Sequence, residues 1–144
     1  MPADFRWDSG SRILRTRLWG HVTNEDIVGH ALNVVADPSI RAPLQELIDC
    51  TGVESTRVTS EGLRNIVQID VAHKERYRGQ RTAIVAPTDE ILSMARTFAT
   101  LSEVHHSPHR IRIFRTLPEA EDWLKSPDSE GGGISATPPP SRGR

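Results

Sequence analysis

A single cysteine, Cys50, in 144 residues leaves this chain no internal disulfide and no cysteine-based zinc site. Its apolar neighbours predict simple burial rather than a reactive thiol. Charge of one sign is missing as well. Eighteen Lys and Arg against nineteen Asp and Glu give a net charge of −1, and no block of like charges forms an arm, so nothing is expected to hold a phosphate backbone and no nucleic acid is expected as a partner. No apolar run approaches the ~18 residues needed to span a bilayer. The opening "MPADFRWDSG" has neither the basic start nor the apolar stretch of a leader. The expectation is a cytoplasmic protein with no membrane contact.

What is present suits one globular domain: 36% hydrophobic and 26% charged residues, enough to bury a core. "FRW" and "RILRTRLW" flank Asp8-Ser9-Gly10-Ser11 and read as a β-hairpin. Thr23 with Asp26 resembles a capping box, opening a helix with Ile27, Val28, Ala31, Leu32 and Val35 as its stripe. Asp37-Pro38 ends it, and "PLQELIDC" is the next strand. A second helix runs from Ser60 to about Tyr77, with Gly79 as the stop. "RTAIVA" is a short buried strand suited to the centre of a parallel sheet. The third helix is capped at Thr88 and buries Ile91, Leu92, Ala95, Phe98 and Ala99. "HRIRIFR" is the last strand, and Thr116 with Glu119 makes another capping box before a helix that packs Ala120, Trp123 and Leu124. The domain spans 1–125. Residues 126–144, rich in Pro, Gly and Ser, are expected to be a disordered tail.

The order ββαβαβαβα predicts an α/β fold with a mixed five-stranded sheet and an antiparallel N-terminal edge strand. Right-handed crossovers between sequential strands put the helices mainly on one face. The other face then carries Arg15, Arg17 and Trp19 in one row and Arg110, Arg112 and Phe114 in another, with Leu47 or Ile48 and Ala83 or Val85 between them. That surface is either a solvated face sealed by arginine stems or an interface anchored by Trp19 and Phe114, with a protein partner or a homodimer as its occupant.

The order of elements, with Gly20 and "TNED" after the second strand, "LIDCTGV", "RTAIVAP" and "IFRTLPEAEDWL", resembles the STAS superfamily over roughly residues 5–125. That superfamily includes anti-sigma factor antagonists and sulfate transporter domains, and the resemblance is to its small SpoIIAA-like, STAS/SEC14-type bacterial branch. In the anti-sigma antagonists the turn into the second helix is similar to Asp-Ser-Ser-Gly-Leu, and a serine there is phosphorylated by a partner kinase. Anchoring on Gly62-Leu63 places Thr59 at the aspartate, Ser60 at the first serine and Glu61 at the usual phosphoserine. A fixed carboxylate there imitates permanent phosphorylation with less charge, and Ser60 or Thr59 is the expected helix N-cap. The resemblance implies a non-enzymatic regulatory domain acting through protein contacts in bacterial signalling. The alternative it implies is a small-molecule or lipid carrier or sensor of SEC14-like architecture, which needs an enclosed apolar cavity.

Ligands of open parallel sheets gather beyond the carboxyl ends of the strands. Here that rim holds His21, Thr23, Asp49, Thr51, Thr88 and Asp89, either as a small polar site or as helix caps and turns. His21 and Asp49 have the chemistry of an acid/base pair, but no nucleophile or phosphate-binding glycine loop accompanies them, so no catalytic residue and no cofactor is expected. His105, His106 and His109 in "HHSPH" read as a solvated loop rather than a metal site. Asp70 falls in the middle of a stripe that should be buried. Either the helix turns its second half outward, the more ordinary outcome, or Asp70 has a specific partner.

Overall fold

The computed structural model describes residues 2–40 and 44–126, so the expected tail from 127 onward lies outside the described residues. Asp8 starts the fold by turning the chain. Its carboxylate accepts from the backbone N–H of Gly10 and of Ser11 and from the Ser11 hydroxyl at 2.8 Å. These bonds join β1 (Ala3–Asp8) to β2 (Ile13–Val22) as an antiparallel pair. Then follow α1 (Asn24–Ala36), β3 (Gln45–Thr56), α2 (Ser60–Ala72), the short α3 (Lys74–Tyr77), β4 (Arg81–Val85), α4 (Asp89–Val104), β5 (Arg110–Phe114) and α5 (Leu117–Lys125). The sheet order is β1-β2-β3-β4-β5, parallel from β2 onward. No described helix is long and apolar enough to cross a membrane.

Local chemistry sets several boundaries as expected. Thr23 and Asp26 form a reciprocal capping box. Thr116, by contrast, bonds only the Glu119 side chain and leaves the helix backbone uncapped. β3 is longer than expected: it runs through Thr51-Gly52-Val53 to Thr56, held by β2 alone beyond Asp49. The second helix breaks at His73, whose N–H bonds both Ile69 and Asp70 carbonyls, and α3 completes the turn. On α1, Leu32 is exposed while Val34 is buried, so the stripe runs through Ile27, His30, Ala31 and Val34.

The sheet is covered on both faces. Alternation sends Leu18, Cys50, Ile84 and Ile113 toward α1, α2 and α4, where Leu63, Val67, Ile91 and Phe98 meet them. On the other side Ile13, Leu47, Ala83, Val85 and Phe114 are roofed by Ala120, Trp123 and Leu124 of α5. This corrects the open-face expectation. The crossover rule constrains only helices that link two strands, and α5 follows the last one. Phe114, expected as an interface anchor, is 1% exposed and packs on Trp123 at 5.8 Å between ring centres. Arg15 pairs with Glu121 of α5, and Arg17 stacks over the half-buried Trp19. Arg110 is exposed and Arg112 half-buried. The apolar floor therefore belongs to the core, and what stays open around β1 and β2 is a face of mixed charge: Asp4 opposite Arg17, Arg6 opposite Arg15, and Arg17 opposite Asp49.

Candidate functional site

Three strands and three helices converge on a buried polar cluster. Alternation points Thr16 of β2, Glu46 of β3 and Thr82 of β4 to the helical side, and Glu46 and Thr82 are neighbours in register. The α2 stripe adds Asp70, α1 adds His30, α3 adds Tyr77, and the loop before β5 adds His109. Thr16 Oγ1 donates to Glu46 Oε2 at 2.9 Å and lies 3.2 Å from His30 Nε2. Gln80, 1% exposed, reaches Thr82 Oγ1 at 2.8 Å and His109 Nδ1 at 2.9 Å. His109 Nδ1 is also 2.9 Å from Thr82 Oγ1. Its Nε2 lies 3.3 Å from Asp70 Oδ2 but has no hydrogen-bond partner.

These groups form one end of a cavity of about 110 Å³ beneath α1, α2 and α4. Its other end is apolar: Leu18, Ile27, Ile48, Cys50, Leu63, Ile66, Ile84, Met94 and Phe98. Burial dominates the electrostatics. It pushes the Glu46 carboxyl up, against the opposing effects of His109 and the Thr16 hydrogen bond. It holds His30 down at about 4, so that imidazole is neutral at pH 7. The Tyr77 phenol is raised by burial, then by Glu46 and Asp70. Cys50 is pushed up to about 12, chiefly by burial, which leaves an unreactive thiol as expected.

Two oddities of the sequence resolve each other here. Asp70 is 5% exposed and keeps its place in the buried stripe, so α2 does not turn outward; its partner is His109. His105 and His106 are exposed, but the His109 side chain is 4% exposed, which corrects the reading of that loop as wholly solvated. Tyr77 stacks against the His109 ring at 4.8 Å. No group of three His, Cys, Asp or Glu among the described residues has metal-holding geometry.

The carboxyl-end rim does not come together as one site. Thr23 and Thr88 cap α1 and α4, Asp89 pairs with Arg115 at 2.8 Å, and Asp49 accepts from the N–H and hydroxyl of Thr51. His21 bonds Ser55 across the β2–β3 ladder, while Asp49 sits opposite Arg17, so the acid/base pair is not formed. The cavity's polar end instead lies at the opposite, amino-terminal ends of β3 and β4. Glu46 carried a signal that was missed, since a carboxylate at an inward position of a strand needs partners.

At the start of α2, Thr59 is the N-cap. Its hydroxyl accepts from Gly62 N–H at 3.3 Å and from Asn24 Nδ2 at 2.9 Å, and its own N–H donates to Asn24 Oδ1 at 3.0 Å. Ser60 and Glu61 are exposed on this turn. A Cβ on Gly62 would lie 2.0 Å from Asn24 Oδ1, so glycine permits the close approach of α1.

No protein-family model matches this chain, and no curated protein matches it. Among solved structures, an uncharacterised protein of the DUF3478 family from Shewanella loihica PV-4, described as having a SpoIIAA-like fold, is similar over 85% of this chain and 91% of that one, with a TM-score of 0.53 and 17% identity. The fold is SpoIIAA-like, the fold of STAS domains. The sheet order, the antiparallel β1 and the helices mainly on one face fit that architecture. In this STAS-type fold the braced turn at Thr59–Gly62 and the buried cavity are the two features with chemistry to offer.

Proposed function

We propose that this STAS-type domain is a non-enzymatic sensor or carrier module that binds a small molecule inside its core. The cavity carries the reading. Protein interiors pack with few voids larger than a water molecule, and apolar walls left around about 110 Å³ of partly open space cost free energy while they face water. A ligand offsets that cost. Native mass spectrometry of the protein taken gently from its own host is expected to show a bound small molecule. Ala31→Leu, which fills the cavity from α1, is expected to abolish the adduct while leaving a folded chain. Ligand-free protein throughout, with the filled variant simply more stable, would mean that the cavity is only a packing defect.

A second reading, regulation through protein contacts, is favoured by the turn that Asn24 braces. Ser60 and Glu61 are presented to solvent on a fixed backbone, and Glu61 supplies a permanent negative charge at the helix N-terminus. Residues 59–61 are expected to stay unmodified in protein from the host. Stoichiometric phosphate on Ser60 would overturn the idea that Glu61 holds one regulatory state.

A further inference from the structure

We propose that the cavity selects a small organic cation, an amine with a compact apolar body, held by Glu46 and Asp70. This rests on the core-binding reading above and names its ligand class. Among the described residues, the cavity wall has two carboxyl groups and neither lysine nor arginine, and His30 and His109 are its only basic groups. An anion would meet Glu46 and Asp70 with no strong cation to receive it. A neutral apolar molecule would fill the greasy end and leave the polar end as it is.

Unmet hydrogen-bonding capacity points the same way. Asp70 Oδ2 and His109 Nε2 lie 3.3 Å apart without hydrogen-bond geometry, and Nε2 is buried and unpartnered. A donor placed beside them serves the Asp70 carboxylate directly, because Gln80 Nε2 at 2.9 Å from Nδ1 leaves the ring proton on Nε2 and that N–H is not aligned with Asp70. An ammonium brings three donors to a wall in which Asp70 and Glu46 supply carboxyl acceptors. It also supplies the positive charge that lets Glu46 ionise without a bare buried charge. A metal ion needs several ligands converging on one point, and no such set is present among the described residues. Size follows from volume. An apolar cavity of ~150 Å³ takes a benzene ring, so about 110 Å³ suits a smaller body, an amine of about three or four carbons.

The test is a set of straight and branched amines of about three to seven carbons, each beside the alcohol and the carboxylic acid of the same skeleton. Binding to the full chain is followed by thermal unfolding and by NMR of the side chains that line the cavity. The expected result is that at least one amine binds about tenfold or more tighter than its alcohol, that the acids do not bind, and that the shifted resonances include Ile84 and Met94. Glu46→Gln and Asp70→Asn should each bring amine and alcohol toward equal affinity. Alcohols binding as tightly as amines would overturn the cation inference and leave core binding standing. If no compound in the set binds and no cavity resonance moves, both fall. The comparison on the unaltered chain needs no variant, so a variant that fails to fold leaves the test intact.

Discussion

His30 and Glu46 touch the same hydroxyl, Thr16 Oγ1, and they titrate in opposite senses. The folded His30 has a pKa of about 4 against 6.5 for the free imidazole. Acidifying through that window protonates the unfolded chain alone, so His30 makes stability fall as pH drops, by at most about 3 kcal/mol at 1.36 kcal/mol per unit. Glu46 is raised above 4.5, so its folded form keeps a proton that the unfolded chain has released. Stability from Glu46 therefore falls as pH rises above 4.5 toward its folded value. The two slopes oppose each other, and urea titrations across this window should separate them. Glu46→Gln is expected to steepen the acid loss, and His30→Gln to reverse its sign. Parallel slopes in both variants would mean that neither group is shifted as described. At the other end of α1, Gly62→Ala should cost about 1–3 kcal/mol, because the new methyl displaces Asn24 from Thr59. Asn24→Ala makes room for that methyl, so the double variant should lose less than the two singles together. Strict additivity would show that Asn24 and Gly62 do not meet.

Two helices borrow their C-terminal caps from arginines outside themselves. α1 has no basic residue in its last turn, and its final carbonyls accept from Arg76: Val34 at 3.0 Å, Val35 at 3.4 Å and Asp37 at 2.8 Å. Arg81 of β4 does the same for α5, donating to Trp123, Leu124 and Ser126 carbonyls while stacking over the Trp123 ring. Each arginine satisfies orphan acceptors and sits at the negative end of a helix dipole. Arg81→Met is expected to cost about 3 kcal/mol and to open α5 to hydrogen exchange ahead of the other helices. Arg81→Lys should rescue little, since a point charge cannot fork to three carbonyls. The element pattern itself was readable wherever one period dominated, as in the Ile91, Leu92, Ala95, Phe98 and Ala99 stripe of α4, all buried. Arg81 was not readable as a cap, because its partners lie more than forty residues away in sequence.

At the scale of the whole molecule, α5 is what keeps the apolar floor of the sheet from solvent. Trp123→Ser should uncover Leu47, Ala83, Val85 and Phe114 and make the chain associate as its concentration rises in sedimentation. A variant that stays monomeric and as stable as the parent would show that α5 is not the cover. The placement of α5 had a trace in the sequence: "RTAIVA" is apolar on both faces, and every β4 position is buried, which calls for a layer on each side. The cavity left a fainter trace. Asp70 in an apolar stripe and His109 in a polar loop were each anomalous alone, and only folding, which brings the loop before β5 against α2, makes them a pair. His30 hid inside a helical period that was counted on apolar residues. The spread of these residues along the chain also bears on how the protein is made. Thr16, His30 and Glu46 leave the ribosome well before Gln80 and His109, so the nascent Glu46 remains hydrated and ionised while its later neighbours are still unmade. Docking of β4 and β5 then buries it and raises its proton affinity, so the electrostatic cost of closing this core falls late in synthesis, when the last strands dock.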